Sequence, residues 1–161
     1  MTHKAPPNLS FYNLGIAPKI LEVLDRMRFT VPTPIQHKAI PVGSEGKDII
    51  GIAQTGTGKT LAFAIPIIQQ LAQKKGRALI LAPTRELAIQ IDETFQKIAP
   101  LFGIRTAVLI GGASIHLQLQ ALRRNPRVLI ATPGRLIDHM NQRTVMLADV
   151  KVLVLDEADR M

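Results

Sequence analysis

Five short apolar runs, at residues 48–53, 78–82, 106–110, 128–131 and 150–155, set the rhythm of this chain. The first four are each followed by a stretch with helical spacing, at 59–73, 84–98, 114–124 and 134–141. Runs that are apolar at successive positions belong to strands buried on both faces. Strands of that kind alternating with helices give a parallel sheet covered on two sides, so the expected class is α/β. Pro66 lies inside the first of these helices and is expected to kink it or weaken one turn. In an open parallel sheet the loops after the strands gather at one edge, where ligands bind. Every distinctive polar motif described below falls in such a loop.

Ahead of this region, residues 1–9 read as a flexible arm. Ile20, Leu21, Val23, Leu24 and Met27 recur at helical spacing over 17–28, with Pro18 in the first turn. Ile35, Ala39 and Ile40 predict a second short helix that Pro41 and Gly43 end. Residues 10–161 are expected to form one domain. Only 4% of residues are aromatic and none is Trp, so its core must be aliphatic. Twenty Lys plus Arg against 12 Asp plus Glu leave a net charge of +8, which favours a polyanionic partner. The absence of cysteine excludes disulfides and thiolate zinc sites, and His3, His37, His116 and His139 lack metal-ligand spacing, so they read as structural or exposed. With no apolar leader segment and no apolar run of membrane-spanning length, a soluble, cytoplasmic protein is expected.

The stretch A-Q-T-G-T-G-K-T at 53–60 joins the first apolar run to the first long helix. Gly56 and Gly58 permit a tight turn whose N–H groups point inward, so that Thr55, Gly56, Thr57 and Gly58 can cradle phosphate oxygens at a helix N-terminus. Lys59 supplies a mobile positive charge for the outer phosphates, and the Thr60 hydroxyl can ligate an accompanying magnesium ion. The entry position of the pattern is Ala53 rather than glycine, so the loop must enter with backbone angles that alanine accepts. The last apolar run leads directly into D-E-A-D at 156–159. One carboxylate at a strand tip and another beside it suit two roles: Asp156 holds the magnesium through water, and Glu157 orients and deprotonates the attacking water.

Taken together, P-T-P-I-Q at 32–36, the Gly-rich loop, P-T-R-E-L-A at 83–88, Gly111 with Gly112, T-P-G-R at 132–135 and D-E-A-D resemble the first RecA-like domain of DEAD-box ATP-dependent RNA helicases. The resemblance covers nearly the whole chain, and the motifs agree in order and spacing. It implies a RecA-like P-loop NTPase domain using ATP and magnesium. Gln36 would read the adenine edge with its amide, and Phe11 would stack on the base or else anchor the N-terminal helix in the core. Pro83, Thr84, Arg85, Gly111, Gly112, Thr132, Pro133, Gly134 and Arg135 would contact RNA along its sugar-phosphate path, with little base specificity. An arginine among them could instead be a surface charge or pair with an acid such as Glu86. Arg123, Arg124 and Arg127 read as a solvated helix face that adds at most diffuse attraction. Members often carry glycine where Arg28 precedes Phe29, so a local backbone change is expected there.

In the family an S-A-T motif and a second RecA-like domain follow D-E-A-D. The chain ends at Met161, so the sheet is expected to be incomplete at its C-terminal side and the chain to be a partial domain. Such a piece should not unwind RNA alone, because the second domain supplies a transition-state arginine and half of the RNA surface. Two other readings stay open: a non-catalytic RNA-binding module that keeps the P-loop fold, and a P-loop motor acting on DNA.

Overall fold

The computed structural model describes residues 9–54, 56 and 58–161. The readings made for the arm at 1–8, His3 included, and for Thr55 and Thr57 lie outside the described residues. The chain divides into two units, residues 1–69 and 70–161, and each is taken by itself.

In the first unit a short 3₁₀ turn, Phe11–Asn13, precedes helices α1 (Pro18–Arg26) and α2 (Pro34–Ser44) and the start of α3 (Lys59–Gln73). Prolines at the first helical positions of α1 and α2 fit because an N–H there has no intrahelical acceptor. Buried Ile20, Val23 and Leu24 give α1 its inward stripe. Helix α2 does not end at Pro41, as the sequence predicts, but runs on to Ser44. Pro41 lies near the end of the helix, where the one bond it forgoes is tolerable. Gly43 has a different role from the expected terminator: a Cβ there would lie 3.0 Å from the ring of Pro66, so the missing side chain lets that ring pack closely. Pro66 in turn sits within α3 without ending it. The amide of Gln69 ties the unit together, accepting from Ala17 N at 2.7 Å and donating to Ser44 Oγ at 3.0 Å.

The expected strand at 48–53 does not form. Ile50 and Ile52 are 95% and 94% exposed, and no strand pairs with this stretch among the described residues. A β-type sequence gains ladder bonds and burial only beside a neighbouring strand, which is what this run lacks. Arg28 takes φ +60, the left-handed conformation that glycine accepts freely. The backbone at this position therefore keeps a glycine-type turn, and the arginine bears a strain of about 1 kcal/mol.

The second unit is built on four parallel strands, β1 (Arg77–Leu81), β2 (Thr106–Leu109), β3 (Val128–Ala131) and β4 (Val150–Leu155), in the order β2-β3-β1-β4. Helices α4 (Arg85–Ile98), α5 (Ile115–Arg123) and α6 (Pro133–Asn141) connect them. Central β3 is buried throughout, as a strand covered on both faces should be. On one face Leu79, Leu109 and Leu129 pack with Leu136 of α6 and with Ala121 and Leu122 of α5. Helix α4 lies on the other face, where Asp92 accepts from Thr106 Oγ1 at 2.5 Å. Edge strand β4 departs from the expected double burial: its residues alternate, and Leu153 and Leu155 are more than half exposed.

Candidate functional site

The strands stop in register. Leu81 pairs with Ala131 and Leu155, and Leu109 pairs with Ala131, so four loops leave the sheet along one edge. Three of the strands, β1, β3 and β4, continue for one more ladder bond: Ala82 N to Ala131 O at 3.0 Å, Thr132 N to Leu109 O at 3.1 Å, and Asp156 N to Leu81 O at 3.0 Å. This fixes the base of the loops holding Pro83, Thr84 and Arg85, Gly111 and Gly112, Thr132 to Arg135, and the D-E-A-D acids.

Within these loops the side chains interlock. The Thr84 hydroxyl accepts from Leu87 N at 3.2 Å and caps α4. Arg85 lies over the neighbouring loop, its Nη1 2.5 Å from where a Cβ on Gly112 would be. Gly112, at φ +72, thus provides both the turn and the room for the guanidinium. Arg135, with its side chain 15% exposed, donates from below to Ala113 O at 3.4 Å and approaches Asp138 at 3.7 Å. Arg85 lies 4.0 Å from Glu86, the ion pair that the sequence left open. Gly134 has open space where a Cβ would project.

Sequence reasoning missed the element that joins these loops. Gln118 of α5 is buried; it donates to Ile110 O at 2.8 Å, and its Oε1 faces His139 Nε2 at 2.8 Å and Arg135 Nη1 at 3.4 Å. Because Oε1 can only accept, the imidazole proton sits on Nε2, and the Thr144 hydroxyl, 2.7 Å from Nδ1 and 3.0 Å from His139 O, has one proton to donate between these two acceptors. Burial, reinforced by the Arg135 guanidinium and opposed by Asp138, holds the His139 pKa below the usual histidine value. One network therefore links the Gly111–Gly112 loop, α5 and the helix that carries Arg135.

Asp156 and Glu157 are adjacent but held differently. Asp156 is buried and its N–H belongs to the sheet ladder. Glu157 leaves the ladder at φ +50 and meets Arg160 at 3.5 Å. A non-glycine residue held in this left-handed conformation is strained by about 1–3 kcal/mol, and such strain concentrates at functional positions.

In the first unit, Gln36 links its own helix to the Gly-rich loop. Its Oε1 accepts from Thr33 N at 2.9 Å and its Nε2 donates to Gly58 O at 3.1 Å. An amide has two N–H groups and two lone pairs on oxygen, so among the described residues these bonds use one of each. Gly58, at φ +78, has no space for a side chain: a Cβ would fall 2.2 Å from Gln36 Nε2. Beside it the Thr33 hydroxyl is buried with no hydrogen-bond partner among the described residues. Lys59 and Thr60 open α3, where the first turn of a helix offers N–H groups to an anion. A glycine cradle, an orphan hydroxyl and a helix N-terminus are a donor set that fits nucleotide phosphates. Phe11 is 3% exposed, which fits its reading as a core anchor.

The family model for DEAD/DEAH box helicases matches residues 33–161. The chain belongs to the DEAD/DEAH box helicase family. Among curated relatives, it is 52% identical over 155 residues to the ATP-dependent rRNA helicase RRP3 of Eremothecium gossypii, covering 94% of this chain and 32% of that protein. It is 50% identical over 153 residues to the ATP-dependent RNA helicase CshA of Listeria monocytogenes, covering 94% and 29%. The chain thus spans about a third of the length of these relatives. A DEAD box protein of Methanococcus jannaschii aligns with a TM-score of 0.88 at 38% identity, over 96% of this chain and 43% of that one. The RNA helicase Prp28 of Chaetomium thermophilum, bound to ADP, gives 0.88 at 36% identity, over 100% and 41%. These DEAD-box neighbours bear out the expected α/β fold of RecA-like type. No helix among the described residues is long and apolar enough to cross a membrane.

Proposed function

We propose that this DEAD-box chain is the ATP- and RNA-binding part of an ATP-dependent RNA helicase, in which hydrolysis of ATP drives the unwinding or remodelling of RNA. The observation that carries the reading is the register of the sheet: four family loops leave one edge, with Arg85 seated over Gly112 and Arg135 bonded to Ala113 O. Backbone-directed contacts from such loops suit a ribose-phosphate path rather than base edges.

In this proposal Thr55, Gly56, Thr57, Gly58 and Lys59 hold the phosphates, and the remaining valences of the Gln36 amide read the adenine. Phe11, from its buried position, supports that side. Thr60 and Asp156 would hold magnesium, an ion that takes one or two carboxylates together with substrate phosphates. The ion supplies charge neutralisation at the transferring phosphate. Glu157 takes the proton of the attacking water. Residues 10–161 act as one partial RecA-like domain after an arm at 1–9, and a second RecA-like domain supplies the rest of the RNA surface and a cationic group for the transition state. A cytoplasmic place of action belongs to the same reading.

The test is nucleotide binding and turnover in this chain and in a two-domain protein carrying it, with RNA and DNA of the same sequence. Expected are ATP binding lost in Lys59→Ala, turnover in the two-domain protein stimulated by RNA and not by DNA, and a fall of about 10²-fold or more in Glu157→Gln with ATP binding retained. The 161-residue chain by itself should show no unwinding. Turnover unchanged by Glu157→Gln, or equal stimulation by DNA, would overturn the assignment.

A further inference from the structure

The opposite edge of the sheet carries a second, differently built array of charge. All four strands begin at or beside a cation: Arg77 opens β1, Arg105 and Arg127 immediately precede β2 and β3, and Lys151 is the second residue of β4. Because the strands are parallel, these starts lie side by side along one edge. Three of the arginines are committed to structure. Arg127 donates to Leu71 O at 2.6 Å, Lys74 O at 2.5 Å and Gly76 O at 3.1 Å, which makes it a cap on the end of α3 and not part of the solvated helix face expected from the sequence. Arg77 bridges Asp149 at 2.9 Å, and Arg105 donates to Arg124 O at 3.1 Å.

With the edge fixed in this way, Lys74, Lys75, Arg123, Arg124 and Lys151 are exposed and form no ion pair among the described residues. Lys151 packs its stem against Gly76, and Lys74 and Lys75 line a cleft of about 500 Å³ whose one acid, Asp149, is already neutralised. Cations beside helix C-termini offset the helix dipole, which accounts for Lys74 and Arg124 singly. It does not account for Lys151 in a strand, nor for two adjacent lysines that repel each other. The carboxyl edge has the reverse character: Arg85, Arg135 and Arg160 each lie within 4.0 Å of a carboxylate. The unbalanced positive charge of this unit therefore sits at the amino edge.

We infer that the amino edge of the sheet is a second RNA-binding surface, which engages the phosphate backbone of an RNA that extends past the carboxyl edge. The inference rests on the RNA reading proposed above. Strands of four to six residues separate the two edges by about 13–20 Å at 3.3 Å per residue, more with the flanking loops. A hexanucleotide laid along the carboxyl edge, where four strands spaced about 4.8 Å apart make an edge of about 15 Å, is occupied there from end to end, whereas a stem-loop of some 25 nucleotides also reaches the amino edge.

The test is fluorescence anisotropy of the 161-residue chain with a labelled hexanucleotide and a 25-nucleotide stem-loop across a salt series. The comparison is with the variant Lys74→Gln, Lys75→Gln, Arg123→Gln, Arg124→Gln and with a charge-preserving variant that exchanges Lys and Arg at the same positions. Each lost phosphate contact lowers the slope of log K against log salt by about 0.7–0.9. The glutamine variant is expected to lose two to three units of slope and about 100-fold in stem-loop affinity at 0.1 M salt. Its hexanucleotide affinity should be unchanged, and the charge-preserving variant should bind like wild type. If wild type binds both RNAs and the glutamine variant keeps the stem-loop affinity and slope, this inference fails and the carboxyl-edge reading stands. If only stem-loop binding occurs and the variant loses it, the amino edge stands and the carboxyl-edge reading fails. Binding of neither RNA by wild type overturns both. Displacement of the stem-loop by polyglutamate at equal or lower charge concentration would assign the surface to an acidic protein and also overturn the inference.

Discussion

Gly58→Ala tests whether the Gly-rich loop is held open by Gln36. The new Cβ would sit 2.2 Å from Gln36 Nε2, 3.0 Å from its Cδ and 3.3 Å from Thr33 Oγ1, at a backbone φ of +78. The left-handed conformation costs an alanine about 1–2 kcal/mol. The contact with Gln36 cannot be relieved by a small shift, because both ends of that amide are bonded. Swinging it away breaks two hydrogen bonds at about 1 kcal/mol each, one of which also caps α2. The expected loss is about 3–4 kcal/mol, read as urea unfolding followed by far-UV circular dichroism. The decisive comparison is a double-mutant cycle. Gln36→Ala alone should cost about 2 kcal/mol, and in that background Gly58→Ala should cost only its backbone strain, leaving a coupling of about 2 kcal/mol. Additivity within about 0.5 kcal/mol would refute the steric argument and assign the glycine to backbone conformation alone.

Two further outcomes follow from the second unit. Arg127→Ala removes the donors of three carbonyls at the end of α3 and should destabilise by about 2–3 kcal/mol in urea unfolding, with Arg127→Lys recovering only part because the three protons of an ammonium leave one nitrogen, whereas the three carbonyls are met by three separate guanidinium nitrogens. The folded chain holds His139 neutral with a pKa below 6.5, so the unfolded chain binds more protons below that pH. Its contribution to stability should be intact above about pH 6.5 and fall away as the pH drops through the lower folded value. His139→Gln should flatten that segment of the stability profile, and the ring's nitrogen chemical shifts should report the Nε2–H tautomer at neutral pH.

The parts of the fold that could be read from the sequence were those where local pattern and tertiary need agree. Val128–Ala131 is apolar at every position and buried at every position, and the helical segments read as starting at 84 and 114 do so, with Thr84 and Ser114 as their caps. Legibility failed where a neighbour decides the outcome. The run at 48–53 has strand composition, but strands are properties of pairs, and the partner is not encoded in the run itself. In α5, Leu117 is 63% exposed while the adjacent Gln118 is 4% exposed, an inversion that no hydrophobic periodicity could reveal. Gln118 is inside because Ile110 O and His139 need its amide, and those partners lie 8 and 21 residues away in sequence. Among the candidate site residues, those at 83–85, 111–112, 132–135 and 156–157 lie at or just after strand ends as the pattern predicts, the Gly-rich loop follows no strand among the described residues, and the interlocking of the side chains was not legible. That Arg85 would rest on Gly112, or that Gln36 would meet Gly58 O, depends on distances that spacing along a chain does not carry.

The two neighbouring acids, Asp156 and Glu157, differ in mechanical compliance. Displacing Asp156 strains the ladder bond to Leu81 and with it the sheet, so its position is set by the stiffest part of the unit. Glu157 stands one residue outside that ladder, on a backbone already raised above its relaxed state, where Arg160 holds it twice, through the ion pair and through its N–H, which donates to Glu157 O at 2.9 Å. The stiffness of the sheet therefore ends at the peptide between the two acids, so that a displacement of Glu157 breaks no ladder bond while a displacement of Asp156 does.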